Sequence, residues 1–372
     1  MKKQTFISKC ITFLLGLLIF TIGGCTMKNK DNIVKIGAIL PLSGSNAMYG
    51  KWIKEGLELK REEINRKVGG DNIKVEIIYE DDKAQPTFAV NALNKLISVD
   101  KISIVFGSWA SSSVLAEAPI AEKNKVIVMA EAISPKIRDA GDYIFRIQPD
   151  ARYYLKKLVP YVFDNLKLRK IAILYVNNDF GVDQKDIFSN IFTELGGKIT
   201  MIEAFKQGDI DFRTQLLKIK KTHPDGIFIP AYIESGYIVK QAKELGIVAQ
   251  LIGSVPFENP DILSIAKETA NGVIYPHHFD AYSEDSIVKS YQKMYKEKYG
   301  MDSEGFAALA FDGLGVLYDV ITKCSSNTEC IKNELYKVSY KGVTGIIKFD
   351  NKGDVISNVI IKEVMAGKFV KK

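Results

Sequence analysis

The sequence contains few of the residues and motifs on which most enzymes depend. It has three histidines and four cysteines among 372 residues. It also lacks a Gly-x-Ser-x-Gly nucleophile elbow, a Walker phosphate loop and a Gly-x-Gly-x-x-Gly dinucleotide fingerprint. A hydrolytic triad and a nucleotide site are therefore not indicated, and we expect neither catalytic residues nor a cofactor.

The histidines offer little to a metal ion. His277 and His278 are adjacent in the sequence, and adjacent imidazoles can bind a metal. Neighbouring residues of a strand point to opposite faces, however, which makes joint chelation awkward. We therefore expect no metal site and interpret the pair as part of a connection between two domains.

The first 24 residues have the pattern of an export signal. Lys2 and Lys3 precede an apolar run over residues 11–22, which is too short to cross a bilayer comfortably. The run ends in Gly23-Gly24-Cys25, which resembles the lipobox of bacterial lipoproteins. We expect cleavage before Cys25, a diacylglycerol on its thiol and an extracytoplasmic lipoprotein, either periplasmic or on the cell surface. A plain secretory peptide with an incidental cysteine is the alternative.

Basic charge is not concentrated anywhere in the predicted mature chain. The formal net charge is +7, and removal of the signal peptide with its three lysines lowers it to +4. Apart from Lys371 and Lys372, the basic residues are dispersed, and residues 25–32 predict a short polar tether. A nucleic-acid surface and a polybasic membrane patch are therefore not indicated.

Two cysteines belong to the predicted mature domain. Cys324 and Cys330 bracket a polar segment, and an exported protein lies in a compartment that permits disulfides. We predict a small disulfide loop between two helices. A zinc site is the alternative, but no histidine lies near in the sequence.

Strand and helix patterns alternate along the chain, which predicts an α/β fold. Strand-length apolar runs over residues 33–40, 170–176 and 226–230 are each followed by a stretch with helical spacing. Such runs are typical of parallel sheets that helices cover on both faces. The length of the chain favours two domains, with a crossing that ends near residue 150.

The C-terminal quarter interrupts this alternation. Residues 280–338 predict helices with no strand between them, and residues 343–349 and 355–364 predict a strand pair. The acidic loop 350–354 joins the two strands and could be mistaken for a calcium site. It lacks the spacing and the final glutamate of an EF-hand, so we favour a hairpin turn with a glycine in the left-handed conformation.

Residues 104–113 predict a buried strand that delivers a small-residue loop to the start of a helix. A helix N-terminus carries unpaired N–H groups and a partial positive charge, which together can receive a carboxylate. Ligands of parallel sheets bind beyond the carboxyl ends of the strands, where this loop lies. Ser111 is therefore a candidate ligand anchor, with a purely structural helix cap as the alternative.

Short motifs recur in order along nearly the whole predicted mature chain. They are Pro41-Leu42-Ser43-Gly44, Tyr49-Gly50, the stretch 107–113, Ser134-Pro135, Asn178-Asp179-Phe180-Gly181, Asp211-Phe212 and Phe349-Asp350. In order and spacing they resemble the branched-chain-amino-acid (Leu/Ile/Val) type periplasmic binding proteins of ABC transporters.

That resemblance implies the type I architecture, in which two Rossmann-like lobes are joined by three crossing strands. Lobe 1 would comprise residues 32–148 and 278–352, and lobe 2 residues 149–277 and 353–372. A hinge of this kind closes over the ligand, and an ABC permease with its ATPase would receive the closed form.

The same resemblance implies a ligand site between the lobes. Ser111 would bind a ligand carboxylate, and the segment 130–134 would form the facing wall. The implied ligand-binding residues are Tyr49, Trp109, Ser111, Ser112, Ala132, Ile133, Phe180, Tyr232 and Val255.

Three of those positions depart from the amino-acid binders of the family. Ile133 replaces a threonine that binds the carboxylate, and Phe180 replaces a tyrosine. Val255 replaces the acid that pairs with the α-ammonium of the ligand. Because a buried ammonium without an anion is costly, either the ligand lacks this group or another acid, Glu131 or Glu258, supplies the charge.

Aromatic residues dominate the implied site. Tyr49, Trp109, Phe180, Tyr232 and Phe257 predict a pocket that suits an apolar or planar ligand held by a carboxylate or an amide. The sequence therefore predicts a monomeric, lipid-anchored solute-binding protein that delivers an amino acid or a related amide or carboxylate to an ABC importer. A ligand-sensing receptor module of the same fold is the first alternative, and an extracytoplasmic enzyme is the second.

Overall fold

A computed structural model describes residues 33–66, 73–356 and 359–372. The predicted signal peptide, the tether and the lipidation site Cys25 lie outside the described residues. Residues 33–372 form one compact unit, and its helices and strands follow the alternation expected from the sequence.

A five-stranded parallel sheet forms the first half of the fold. Its strands are β1 (Ile33–Leu40), β2 (Lys74–Asp81), β3 (Ile104–Gly107), β4 (Ile127–Ala130) and β5 (Ile144–Arg146), in the spatial order β2-β1-β3-β4-β5. The first three helices are α1 (Ala47–Arg66), α2 (Pro86–Ser98) and α3 (Ser111–Asn124). Strands β3, β4 and β5 are buried along their whole length, because helices cover both faces of the sheet.

A second, seven-stranded sheet follows, together with a separate two-stranded hairpin. The remaining strands are β6 (Lys170–Val176), β7 (Lys198–Phe205), β8 (Gly226–Ile229), β9 (Gln250–Gly253), β10 (Ile274–His277), β11 (Tyr340–Gly342), β12 (Gly345–Ile347), β13 (Ile360–Met365) and β14 (Lys368–Lys371). The order in the large sheet is β14-β13-β10-β9-β8-β6-β7. It is parallel from β7 to β10, and β13 and β14 add to it antiparallel.

Helices connect the strands of the second sheet and then return to the first. They are α4 (Ala151–Pro160), α5 (Asp179–Glu194), α6 (Arg213–Lys220), α7 (Glu234–Glu244), α8 (Pro260–Ala266), α9 (Ser286–Tyr299), α10 (Gly305–Cys324) and α11 (Thr328–Leu335). One π-helical turn, Tyr161–Asn165, extends α4. The first sheet is built from residues 33–146 and the large sheet from residues 170–371. The residue boundaries of the two lobes stay a prediction.

Helix α10 lies in the core against α1. A side chain at Gly56 would meet the carbonyl oxygen of Ala307 at 2.1 Å, which shows how closely the two helices approach. By length and composition, α10 is the described helix that could cross a membrane, but 83% of its apolar window is buried inside the fold. Its hydropathy is therefore accounted for by its place in the core.

The predicted disulfide is present. Cys324, the last residue of α10, bonds to Cys330 in α11, with 5.6 Å between the Cα atoms. The bond spans the polar segment between the two helices, as the sequence predicts.

The strand pair predicted over residues 343–349 and 355–364 is largely wrong. The carboxylate of Asp312 on α10 accepts hydrogen bonds from the backbone N–H groups of Val343 and Thr344, at 2.8 and 2.7 Å, and this holds a turn between β11 and β12. Among the described residues, the N–H of Ile356 still bonds to the Lys348 carbonyl oxygen, and the next regular strand is β13, whose partner is β10.

The acidic loop 350–354 forms the predicted tight turn. Gly353 has a φ of 75°, the left-handed conformation that glycine favours, and Phe349 forms an antiparallel bridge with Val355. The carboxylates of Asp350 and Asp354 both accept from Arg138, at 2.5 and 2.9 Å. These two acids are therefore engaged within the protein.

The expectation that His277 and His278 point to opposite faces is wrong. Strand β10 ends at His277, so the strand geometry does not extend to His278, and the two rings stack with centroids 4.5 Å apart. A side chain at Gly305 would meet the His277 ring at 2.4 Å, so the pair packs against the start of α10. Among the described residues, no group of three or more His, Cys, Asp and Glu side chains could hold a metal ion.

Candidate functional site

The loops at the carboxyl ends of six strands and the start of α10 enclose a small cavity. Its lining residues are Trp109, Ser111, Glu131, Ile133, Gln148, Phe180, Tyr232, Val255, Pro256 and Phe306. They follow strands β3, β4 and β5 of the first sheet and β6, β8 and β9 of the second. The cavity measures about 10 Å³, which is room for about one water molecule.

A continuous series of aromatic rings explains why the cavity is so small. Tyr49 stacks on Trp109 with centroids 4.2 Å apart, Trp109 contacts Tyr232 at 4.9 Å, and Tyr232 stacks on Phe180 at 4.6 Å. Tyr49 and Trp109 come from the first sheet's side, whereas Tyr232 and Phe180 come from the second's. A ligand of ordinary size can enter only if these rings separate.

Tyr49 makes a polar contact across the same boundary. Its hydroxyl donates a hydrogen bond of 2.7 Å to the carbonyl oxygen of Pro256, in the loop after β9. Burial raises the pKa of Tyr49 well above its usual value, so the hydroxyl stays protonated and donates. This bond ties α1 to the second sheet in the present arrangement.

Ser111 does not cap its helix. Ala110 holds the N-cap position of α3, and the Ser111 hydroxyl instead accepts from the backbone N–H of Ser134, at 3.2 Å. The purely structural alternative for Ser111 is therefore wrong in its simplest form. The hydroxyl of Ser112 accepts from the backbone N–H of Asp179, at 3.3 Å, and so links α3 to α5.

Glu131 is the acid of the cavity. It directly follows β4, it is 1% exposed, and neither of its carboxylate oxygens has a hydrogen-bond partner among the described residues. Burial raises the pKa of Glu131 well above its usual value, and the neighbouring Glu304 raises it further. The Oε1 atom of Gln148, which also lines the cavity, is likewise without a partner.

Glu258, the other acid considered from the sequence, lies outside the cavity and is already paired. Its carboxylate accepts from the Lys362 ammonium at 2.6 and 2.7 Å and from the Tyr275 hydroxyl at 2.8 Å. Of the two candidates, Glu131 alone has oxygens without a partner.

The structure brings most of the predicted site residues together. Trp109, Ser111, Ile133, Phe180, Tyr232 and Val255 line the cavity. Three predicted residues do not line the cavity. Tyr49 contacts the lining residue Trp109, and Ser112 and Ala132 are next to lining residues in the sequence. Phe257, expected in the pocket, lies outside its lining with its ring toward Tyr275, because the 3₁₀ turn Val255–Phe257 presents Val255 and Pro256 to the cavity. The contact of all these predicted site residues with a ligand stays a prediction.

Gln148, Pro256 and Phe306 also line the cavity, although the sequence did not indicate them. Pro256 follows Val255 directly, so its position could have been inferred. Phe306 belongs to α10, which is far in sequence from the strand-end loops that form the rest of the cavity. No local sequence pattern distinguishes Phe306 from a phenylalanine of the core. Only the packing of α10 shows that its first turn faces the cavity.

A comparison with protein families decides the identity. The model of the periplasmic binding protein family matches residues 33–368. The chain belongs to the periplasmic binding protein family. A periplasmic binding protein of this kind lies outside the cytoplasm, and its family binds solutes rather than catalysing reactions, which confirms the expectation of a binding protein and not an enzyme.

Individual relatives of this periplasmic binding protein point to the branched-chain type. It is 27% identical to Leu/Ile/Val-binding protein homolog 2 of Brucella abortus over 359 residues, which are 95% of this chain and 94% of that protein. A leucine binding protein of Thermotoga maritima superposes with a TM-score of 0.86 at 29% identity, over 91% of this chain and 97% of that one.

A third relative was solved with its ligand. The substrate binding protein of a branched-chain amino acid transporter from Streptococcus pneumoniae, in complex with isoleucine, has a TM-score of 0.85 at 28% identity. The match covers 91% of this chain and 100% of that one. The resemblance to branched-chain-type binding proteins and the α/β fold predicted from the sequence are thus confirmed.

Proposed function

We propose that this protein is a lipid-anchored, extracytoplasmic solute-binding protein that delivers a small organic ligand to an ABC importer. The observation that carries the proposal is the cavity itself. Loops from both sheets converge on it, and it contains an acid, Glu131, without a partner among the described residues. A buried polar group in that state is costly unless something pairs with it, as a ligand does.

The ligand in this proposal is an amino acid or a related amide or carboxylate. Among the similar proteins, the one from Thermotoga maritima is a leucine binding protein, and the one from Streptococcus pneumoniae was solved in complex with isoleucine. The N-terminus of α3 at Ser111 suits a carboxylate, and the rings of Trp109, Phe180 and Tyr232 suit an apolar or planar side chain. Nothing in this mode of binding requires a cofactor.

Ligand entry requires the two sides of the cleft to part and then close. The present cavity of about 10 Å³ lies far below the volume of ligand pockets, about 300 Å³ or more. We propose that the closed, ligand-bound monomer is the form that the permease and its ATPase receive. Cys25 would hold the protein at the membrane through its diacylglycerol.

A thermal-shift panel of amino acids, amides and aromatic acids tests ligand binding. A true ligand at a hundredfold excess over Kd adds about 2.7 kcal/mol, which raises Tm by about 4 °C for a chain of this size. The variant Tyr232→Ala should lose this shift, whereas Tyr318→Ala, a change outside the cavity lining, should keep it. The absence of any shift across a broad panel would contradict the proposal.

Anchoring and import are tested in cells. The full-length chain should incorporate labelled palmitate, and the variant Cys25→Ser should not. Deletion of the gene should abolish uptake of the compound that gives the thermal shift. Unchanged uptake together with a lost transcriptional or chemotactic response would favour the sensing receptor instead.

A further inference from the structure

We infer that the ligand of this protein carries a positively charged nitrogen, and that Glu131 at the end of β4 is its anionic partner. The inference rests on the proposed function and specifies its substrate class. In this inference, the acid that pairs with the ligand's positive charge follows β4 of the first sheet. The amino-acid binders of the family have that acid after β9, where this chain has the uncharged Val255.

The first step is the state of the Glu131 carboxyl. It is 1% exposed and lines the cavity, and both of its oxygens are without a partner among the described residues. A carboxylate offers about four acceptor sites, so leaving all of them empty in a buried position is costly. A ligand that donates hydrogen bonds and carries positive charge satisfies such a group best.

The second step is that no cation of the described residues pairs with this acid. No lysine, arginine or histidine is among the residues that line the cavity, whose other polar side chains are Ser111, Gln148 and Tyr232. Glu258 has Lys362 as its partner, and Glu304 accepts from the backbone N–H groups of Phe306 and Ala307, each at 2.7 Å. Glu304 is thus satisfied, burial raises its own pKa to about 8, and the electrostatic effect of its carboxyl raises the pKa of Glu131.

The third step concerns what the cavity excludes. A ligand with a carboxylate as its only charge would enter a site that has no cation and one acid, so burial would leave its charge without a counter-ion. The lining contains the aromatic rings of Trp109, Tyr232 and Phe306, and aromatic rings attract cations. Amines and zwitterionic amino acids are therefore accepted, and simple carboxylates are rejected.

Protonation of Glu131 links this recognition to pH. Burial and Glu304 raise the pKa of Glu131, and the other titratable groups that interact with it are the hydroxyls of Tyr154 and Tyr291, which stay neutral. Without a cation the carboxyl holds its proton, and it releases that proton when an ammonium binds. Affinity should therefore rise with pH while the ammonium itself stays charged.

The test uses two sets of three probes with a common carbon skeleton. They are L-leucine, 3-methylbutylamine and 4-methylpentanoate, and L-phenylalanine, 2-phenylethylamine and 3-phenylpropanoate. Each is titrated calorimetrically into the mature wild-type protein, into Glu131→Gln and into the control Asp312→Asn. Asp312 is also a buried acid, but it lies outside the cavity lining and holds the turn between β11 and β12.

We expect the wild type to bind an amino acid or an amine of at least one set, and not the matching carboxylate. Glu131→Gln should weaken that binding by at least about 30-fold, because the ammonium loses its counter-ion, whereas Asp312→Asn should leave it unchanged. Wild-type titrations in buffers of different ionisation enthalpy should show about one proton released for each ammonium bound. The circular dichroism and Tm of Glu131→Gln should match the wild type, since a neutral amide replaces a buried carboxyl.

Two results would overturn the inference. If the carboxylates bind the wild type as tightly as the amines, or if Glu131→Gln binds the ammonium probes unchanged, Glu131 is not the partner and the proposed function still stands. If neither these probes nor any compound of the broad thermal-shift panel binds, the proposed function fails and the inference fails with it.

Discussion

The hydrogen bond between Tyr49 and Pro256 offers a sharp test of how the cleft closes. The change Tyr49→Phe removes one hydroxyl and keeps the ring that stacks on Trp109 at 4.2 Å. The bond joins α1 to the loop after β9, so its loss affects the closed arrangement in which the two are in contact. In an open arrangement, water can bind the Pro256 carbonyl instead.

The expected size follows from the burial of both partners. Tyr49 is 0% exposed and Pro256 is buried, so the variant leaves a buried carbonyl without its donor. That costs about 1–3 kcal/mol, which lowers the ratio of closed to open protein by about 5- to 150-fold. Ligand affinity should fall in proportion to the fraction of protein that is closed, because the ligand is held in the closed form.

The two tryptophans of the chain report this change directly. Trp52 and Trp109 both contact the Tyr49 ring, at 5.8 and 4.2 Å, and both are nearly fully buried. In Tyr49→Phe we expect the tryptophan emission to shift to longer wavelength and acrylamide quenching to increase, because the cleft opens more often. Addition of the compound identified by thermal shift should reverse both effects.

Tyr291→Phe is the matched control. Tyr291 is also buried, and its hydroxyl bonds to Ser303 at 2.7 Å, a contact that stays within the segment from α9 to α10. This variant should lower the free energy of unfolding without changing tryptophan quenching or ligand affinity. Equal quenching in both variants, or no change in either, would refute the idea that the Tyr49 bond holds the cleft closed.

Three further predictions concern stability. Replacing Cys324 and Cys330 by serine should cost about 2.4 kcal/mol, since the bond closes a short loop that runs from residue 324 to residue 330, and reductant should lower the Tm of the wild type but not of the variant. Asp354→Ala should lower the free energy of unfolding in urea by about 3–5 kcal/mol, because the buried guanidinium of Arg146 loses a carboxylate partner that lies 2.5 Å away. A loss below about 1 kcal/mol would contradict this expectation. Burial raises the pKa of Glu117 to about 8, so the folded state holds a proton that the unfolded state loses above about pH 4.5, and stability should fall by about 1.4 kcal/mol per unit as pH rises between these values. In Glu117→Gln the slope of stability against pH, measured from unfolding curves across the same range, should be smaller than that of the wild type by this amount.

Much of the fold could be predicted because its strands are short apolar runs with clear ends. Strands β1 and β6 have the bounds that the sequence predicts, since each run is bordered by polar or turn residues. The prediction failed after residue 343, where the apolar pattern continues but the carboxylate of Asp312 holds a turn. That contact joins residues 31 positions apart, and no local pattern contains it.

The candidate site was predictable in its loops but not in its charges. The ends of β3, β6 and β8 position Trp109, Phe180 and Tyr232 at the cavity, because parallel strands present their carboxyl ends at one edge of a sheet. Glu131 and Glu258 were equivalent candidates by sequence. The ion pair between Glu258 and Lys362, 104 positions apart, separates them.

The sequence by itself determined the α/β alternation, the family resemblance, the disulfide partners and the aromatic character of the cleft. These depend on residue type, on spacing and on neighbours close in the chain. Only the tertiary structure decided that Ser111 is not a cap, that Phe306 joins the cavity and that the carboxylate of Glu131, unlike that of Glu258, has no partner among the described residues. Burial and pairing depend on which distant segments pack together, and the energy of a charged group is set by those neighbours rather than by its place in the chain.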